Sequence, residues 1–161
     1  MSSGARPVVV AYDGSAESQA AVRAAAGLFA SRRLVIACVW EPGLAMAVAS
    51  AADPTGGIGY VPPTGEAMAA VDRAQKDHAV EVAEEGVRLA RELGATAEAY
   101  PVADELDVAR TVAELAVSLG AGAIVVGSRG LGAVKSKLLG STSAALVHQA
   151  STPVLVVRAP H

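Results

Sequence analysis

A glycine-rich loop between an apolar run and a helix is the part of this sequence whose residue types best suit chemistry. The apolar residues 124–126 end at Gly127, Gly130 follows, and after nine further residues the segment Gly140-Ser141-Thr142-Ser143 begins a helix. Glycines allow close approach of the main chain, and the first N–H groups of a helix favour an anion. The pattern predicts a phosphate site. The alternative is a plain strand-loop-helix connection, in which glycines turn the chain and Ser141 caps the helix.

Two common nucleotide motifs do not fit this chain. A P-loop requires a lysine before its Ser or Thr, and neither the stretch after Gly127 nor Gly140-Ser141 supplies one. A dinucleotide fingerprint should follow the first strand, where Asp13-Gly14-Ser15 contains one glycine. A P-loop is therefore excluded, and the pattern argues against a Rossmann dehydrogenase.

Length and composition limit the class of protein. We expect the 161 residues to form one domain, residues 1–161. A net charge of −3 without a Lys/Arg cluster argues against nucleic-acid binding, and no apolar run is long enough to predict a membrane span. The single cysteine, Cys38, excludes an internal disulfide and lies in an apolar run, which predicts a buried, inert thiol. These features favour a soluble, cytoplasmic protein.

Strands and helices alternate along the whole chain. Apolar runs predict strands over 8–12, 34–40, 96–102, 123–126 and 154–157, and helices over 16–31, 66–93, 105–119 and 142–149 separate them. The apolar face of the long helix is expected at Ala70, Ala74, Val80, Ala83, Val87 and Ala90. This alternation predicts an α/β fold with an open parallel sheet and helices on both faces.

The connections position the predicted site. In such sheets ligands bind beyond the carboxyl ends of the strands, so Asp13 and Gly127 are expected in one crevice. The segment of about 41–65, rich in Pro and Gly, is predicted to be a mobile loop, with residues 49–64 as a possible lid.

Neither a catalytic group nor a protein-bound metal emerges from the sequence. None of the three histidines stands beside a serine or cysteine that suggests a nucleophile and its base. No close cluster of His, Asp and Glu offers several ligands, so any Mg²⁺ would arrive with a nucleotide.

Three stretches together resemble a known family. The spacing of Gly127, Gly130 and Gly140-Ser141, with the opening residues 8–15 and the closing residues 152–157, closely resembles the ATP-binding branch of the universal stress protein family. The resemblance implies the adenine nucleotide alpha hydrolase-like fold, with a five-stranded parallel sheet in the order 3-2-1-4-5. It also implies ATP, with Mg²⁺, across the carboxyl ends of the first and fourth strands.

The family's binding residues map onto this chain position by position. The resemblance places Ala11, Tyr12 and Asp13 beside the adenosine, Val39 against the base, and Val126 and Gly127 on the floor of the site. It places Arg129, Gly130, Gly140, Ser141, Thr142 and Ser143 around the ribose and phosphates. Tyr12 is bulkier than the residue usual there and is expected to narrow the adenine pocket. Gly122-Ala123 stands where members of the family often have an acidic residue before the fourth strand.

The implied function is that of a regulatory module whose ATP-bound and empty states differ in the protein partner they bind, with slow hydrolysis or none. Two alternatives remain open: a weak ATPase or adenylate-forming enzyme using Asp13 or an Arg129/Lys137 pair, and an interaction protein with a degenerate site.

The last strand, residues 154–158, is apolar up to Arg158 and lies at the sheet edge in the implied order. An apolar edge strand of this kind predicts a homodimer formed through the last strand.

Overall fold

The structure is a computed structural model that describes residues 4–43, 64–104, 107–129 and 139–160. Within them, strands and helices alternate. The strands are β1 (Val8–Ala11), β2 (Leu34–Trp40), β3 (Ala97–Ala103), β4 (Ala123–Gly127) and β5 (Val154–Val157), and the helices are α1 (Ala16–Leu28), α2 (Gly65–Glu92), α3 (Val108–Ser118) and α4 (Ser141–Gln149). The predicted alternation is confirmed. The predicted mobile loop lies almost entirely outside the described residues, as do Gly130 and Lys137.

All five strands pair in parallel in the order β3-β2-β1-β4-β5. The central strand β1 pairs on both sides, since Val10 is in register with Ile36 of β2 and with Val125 of β4. The chain proceeds outward from β1 to β2 and β3, then returns to the other side of β1 for β4. The strand order therefore reverses between β1 and β4, which is where such sheets bind ligands.

Alternate side chains of the strands build two cores of mainly aliphatic residues, one on each face of the sheet. Val8 and Val10 pack with α1 and α2, whereas Val9 packs with α3 and α4. Val9, Val10 and their partners in β2 and β4 are fully buried. This continuous burial explains why the central strands read as unbroken apolar runs.

Short polar residues and glycines set the helix ends. Ser15, Thr64 and Asp107 are the N-caps of α1, α2 and α3, and each accepts a hydrogen bond from a main-chain N–H three residues later. Gly94 follows the end of α2 with a φ of +82°, a conformation that favours glycine.

The apolar face of α2 was predicted correctly in its second half only. Ala83, Val87 and Ala90 are buried as expected, but Val80 is exposed and its neighbour Ala79 is buried instead. Ala70 and Ala74 are exposed too, because the buried face of this helix begins at Ala79.

Gly86 of α2 provides a test of this packing. An added Cβ there would lie 2.7 Å from Cγ2 of Ile36 and 3.1 Å from the Tyr12 ring, whereas at Gly27 of α1 it would meet open space. Gly86→Ala is therefore expected to lower the free energy of unfolding by about 1–2 kcal/mol, since overpacking outweighs the gain in helix propensity. Gly27→Ala, the matched control, should raise it by up to about 1 kcal/mol. Urea unfolding measures both, and two changes of the same sign would contradict the packing assignment.

Candidate functional site

The carboxyl ends of β1 and β4 lie side by side at the reversal of strand order. Tyr12 and Asp13 follow β1, and Ser128 and Arg129 follow β4. The two strands pair directly, so their carboxyl ends lie next to each other. The structure thus places the ends of β1 and β4, which the sequence predicted to meet, side by side at the carboxyl end of the sheet.

Ser128 connects the strand end to the beginning of α4. Its N–H donates to the carbonyl of Val157 at 2.7 Å, and its carbonyl accepts from the N–H of Gly140 at 2.6 Å and from the hydroxyl of Ser143 at 3.0 Å. Its own hydroxyl donates to Oε2 of Glu17 at 3.1 Å. We call this set of contacts the Ser128 junction. It holds both ends of the glycine-rich segment together.

Helix α4 begins at Ser141, and its N-cap is Gly140 rather than a hydroxyl residue. No described side chain caps this helix, so the expected alternative of a Ser141 cap is not found. Ser141 is exposed and Thr142 is half-buried, while the buried Ser143 donates its hydroxyl to the carbonyls of Ser128 and Gly140. Ser143 therefore supports the main chain of the site, and among the described residues no side chain caps the first N–H groups of α4, which are donors that suit an anion.

Gly127 is explained by packing against α1. Its φ is not positive, but an added Cβ would lie 2.7 Å from the carbonyl carbon of Glu17 and 2.8 Å from its oxygen. At Gly140 the nearest atoms to an added Cβ lie at 3.4 Å, an ordinary contact distance. A larger residue would therefore clash with α1 at position 127, whereas position 140 has room for a Cβ.

Arg129 places a cation beside the junction. It is half-buried, and its Nε is shielded from solvent without a hydrogen-bond partner in the described part of the chain. A buried polar N–H normally has a partner, because leaving it unpaired costs free energy. An anionic ligand would supply one.

Asp13 takes part in the turn before α1. Its Oδ1 accepts from the N–H of Ser15 at 3.0 Å, and Gly14 between them has a φ of +81°. A carboxylate that follows a strand can accept from free main-chain N–H groups in this way, whether or not it contacts a ligand. Burial, followed by the negative charge of Asp13, raises the pKa of the Cys38 thiol to about 11. Cys38 is buried, as expected.

The side chain of Tyr12 points into the core, so the structure does not support the expectation that it narrows an adenine pocket. The ring is 3% exposed and packs in the core of α1 and α2, and its hydroxyl donates to Oε1 of Glu85 at 2.8 Å. Burial, and next this hydrogen bond, raise the pKa of the Tyr12 phenol well above its usual value. The side chain faces the core because Tyr12 continues the alternation of β1.

The remaining predicted contacts form an apolar wall. Ala11, Val39 and Val126 all pack with the core of α3 and α4, and Ala11 and Val39 are only half-buried. They end or nearly end three strands at the same sheet edge. This wall suits a flat apolar ring.

Two residues of this edge were missed by sequence reasoning. Glu17 bonds Ser128 across 111 positions of the chain. Asp104, after β3, is buried and accepts from the hydroxyl of Thr111 at 2.9 Å. An acidic residue in the first turn of a helix is a common stabilising feature, so nothing local singled out Glu17.

The described ranges contain no group of three His, Cys, Asp or Glu that could hold a metal ion. None of the helices in these ranges combines the length and apolarity that a bilayer crossing requires.

Comparisons with known proteins agree with this architecture. Residues 4–158 match the sequence profile of the universal stress protein family. A universal stress protein of Mycolicibacterium smegmatis is 35% identical over 153 residues, which cover 93% of this chain and 47% of that protein. The chain therefore spans about half the length of this curated relative.

Two solved structures place ligands in similar folds. A universal stress protein in complex with cAMP is 27% identical to this chain. The match covers 98% of this chain and 100% of that protein, with a TM-score of 0.62. One from Archaeoglobus fulgidus in complex with dAMP is 20% identical, with coverage of 96% and 98% and a TM-score of 0.62.

Proposed function

Because this chain belongs to the universal stress protein family, we propose that it binds an adenine nucleotide in the crevice between the carboxyl ends of β1 and β4. Similar proteins are described in complex with cAMP and dAMP, which share an adenine, a sugar and a phosphate. The crevice lies at the reversal of strand order, where open α/β sheets bind ligands.

The observation that carries the proposal is the arrangement of donors around the Ser128 junction. The N–H of Gly140 is used by Ser128, so the chain turns there and leaves the next N–H groups of α4 to face a ligand. Arg129, whose Nε lacks a described partner, adjoins the same junction. A helix start and a guanidinium together suit phosphate.

The adenine is assigned to the apolar wall of Ala11, Val39 and Val126. A ring against this wall would cover side chains that are half-buried at present, Ala11 and Val39. The main chain at Tyr12 and Asp13, rather than the Tyr12 ring, is then the part of β1 available to the base.

We propose ATP as the nucleotide, as the family resemblance implies, with Mg²⁺ held mainly by its phosphate oxygens. The bound and empty states are proposed to differ in their protein partner, as a cytoplasmic regulatory module would require. A bound triphosphate would supply charge for the N–H groups of α4 and for Arg129 to stabilise. We assign no residue a catalytic role.

Two measurements test the nucleotide. Purified protein is denatured and any released small molecule is identified by mass spectrometry, and calorimetry compares ATP, AMP and cAMP with and without Mg²⁺. Failure of the stripped, folded protein to bind any of them would favour the degenerate site. Release of ADP or AMP at 1 s⁻¹ or faster, about the lower end of ordinary enzyme rates, would favour an enzyme.

We further propose a homodimer through the outer edge of β5. The carbonyls of Pro153 and Val157 accept from β4, so by alternation Val154 and Val156 direct their main-chain groups away from the sheet. Such an edge of unpaired donors and acceptors is usually covered, and a two-fold axis would pair it with its own copy.

Val156→Pro tests the dimer, since it removes an outward N–H without adding charge, and proline is tolerated at such edges. Light scattering is expected to show the mass fall from twice the chain mass to the chain mass. Val156→Ala, which keeps the N–H, should remain dimeric. A wild-type protein that is monomeric at micromolar concentration would refute the dimer.

A further inference from the structure

The carboxylate of Glu17 is committed to two protein donors from distant parts of the chain. Its Oε2 accepts from the hydroxyl of Ser128 at 3.1 Å and from the N–H of Ala159 at 2.7 Å. Ser128 begins the glycine-rich segment and Ala159 follows β5. One oxygen atom in the first turn of α1 therefore joins the residues that follow β4 and β5.

Ser128 is the point at which this contact matters for the site. It is fully buried, and its main chain already bonds Val157, Gly140 and Ser143. Without Glu17, its hydroxyl would lose the acceptor that the structure shows, in a place closed to solvent. Rotation of Ser128 to find another acceptor would disturb the carbonyl that holds the N–H of Gly140.

We propose that Glu17 is a positioning residue for the phosphate site. Its carboxylate fixes Ser128, and Ser128 in turn fixes the separation between Arg129 and the beginning of α4. The inference rests on the proposed nucleotide function. Glu17 acts through the protein and not on the ligand, because a carboxylate repels phosphate and its oxygen already accepts from two donors.

A general effect of an acidic residue at a helix start has to be separated from this role. Glu66 is the second residue of α2, as Glu17 is of α1, and it is exposed. Both side chains favour the positive end of their helix to a similar degree. Glu66→Ala is therefore the matched control for Glu17→Ala.

The experiment compares Glu17→Ala, Ser128→Ala, the double variant and Glu66→Ala with the wild type. Amide hydrogen exchange without nucleotide reports on the N–H of Gly140 and of Ser128, with Ile36 in the core as the reference for global stability. Calorimetry with ATP reports affinity. Glu17→Gln, which keeps an acceptor oxygen, provides a milder change if the alanine variant does not fold.

In Glu17→Ala we expect exchange at Gly140 and Ser128 to become about tenfold faster beyond any change at Ile36, which reports the loss of global stability, and ATP affinity to fall about tenfold. Glu17→Gln should retain most of the affinity. The double variant should lose no more ATP affinity than Ser128→Ala alone, because Glu17 is proposed to act on the phosphate site through Ser128. Glu66→Ala should match the wild type in both readouts.

Unchanged exchange at Gly140, or additive losses in the double variant, would overturn the positioning role. An affinity loss in Glu66→Ala equal to that in Glu17→Ala would overturn it too, since a general helix effect would then suffice. A wild-type protein that binds no adenine nucleotide would instead defeat the proposed function. Exchange at Gly140 and Ser128 would then decide the positioning role alone.

Discussion

Gly127→Ala is expected to lower the free energy of unfolding by about 3 kcal/mol, the upper end of the range for overpacking. The added Cβ would lie 2.7 Å from the carbonyl carbon of Glu17, and main-chain atoms of a helix cannot rotate away as a side-chain end can. Either α1 or β4 has to move. Urea unfolding followed by circular dichroism measures the change, which is a large part of the stability of a typical domain.

Gly140→Ala is the control for this prediction. Its φ of −68° is accessible to alanine, and the added Cβ would be 3.4 Å from its nearest neighbours. The free energy of unfolding of the Gly140→Ala variant should differ from that of the wild type by less than about 1 kcal/mol. Equal destabilisation by the two substitutions would show that contact with α1 does not explain the glycine at 127.

This contact changes the interpretation of the glycine pattern. Gly127 permits α1 to approach β4, and the approach brings the carboxylate of Glu17 to Ser128. Gly127 therefore contributes to the proposed phosphate site by allowing α1 to pack against β4, whatever its main chain does toward a ligand. A spacing pattern cannot distinguish these two uses of a glycine.

The architecture was predictable because its signals are local. Unbroken runs of valine and isoleucine mark the buried strands, and a turn residue or glycine marks most helix ends. The sheet order came from the family resemblance and agrees with the structure. The first half of α2 misled, because alanine suits either face of a helix and its periodicity carries little information.

The meeting of the two strand ends was predictable, but the directions of the side chains around them were not. The ends of β1 and β4 do meet, but the ring of Tyr12 faces the core and the hydroxyl of Ser143 faces the main chain. Both outcomes depend on where a strand or helix ends, to within a single residue. The contact of Glu17 with Ser128 depends on the packing of α1, which no local pattern encodes.

Arg129→Met is expected to weaken ATP binding by about ten- to a hundredfold while leaving adenosine binding within about twofold. Methionine keeps an unbranched apolar stem but removes the charged donors, and a hydrogen bond to a charged group contributes about 1.5–3 kcal/mol. The Nε of Arg129 lacks a partner in the described part of the chain, so a phosphate has a donor to engage. Calorimetry with ATP and with adenosine separates the two ends of the ligand.

Arg158→Met, at an exposed position after β5, is the control and should bind both ligands as the wild type does. An equal loss of affinity for ATP and adenosine in Arg129→Met would place the guanidinium away from the phosphates, and the α4 N-terminus would then be the main anion-binding element.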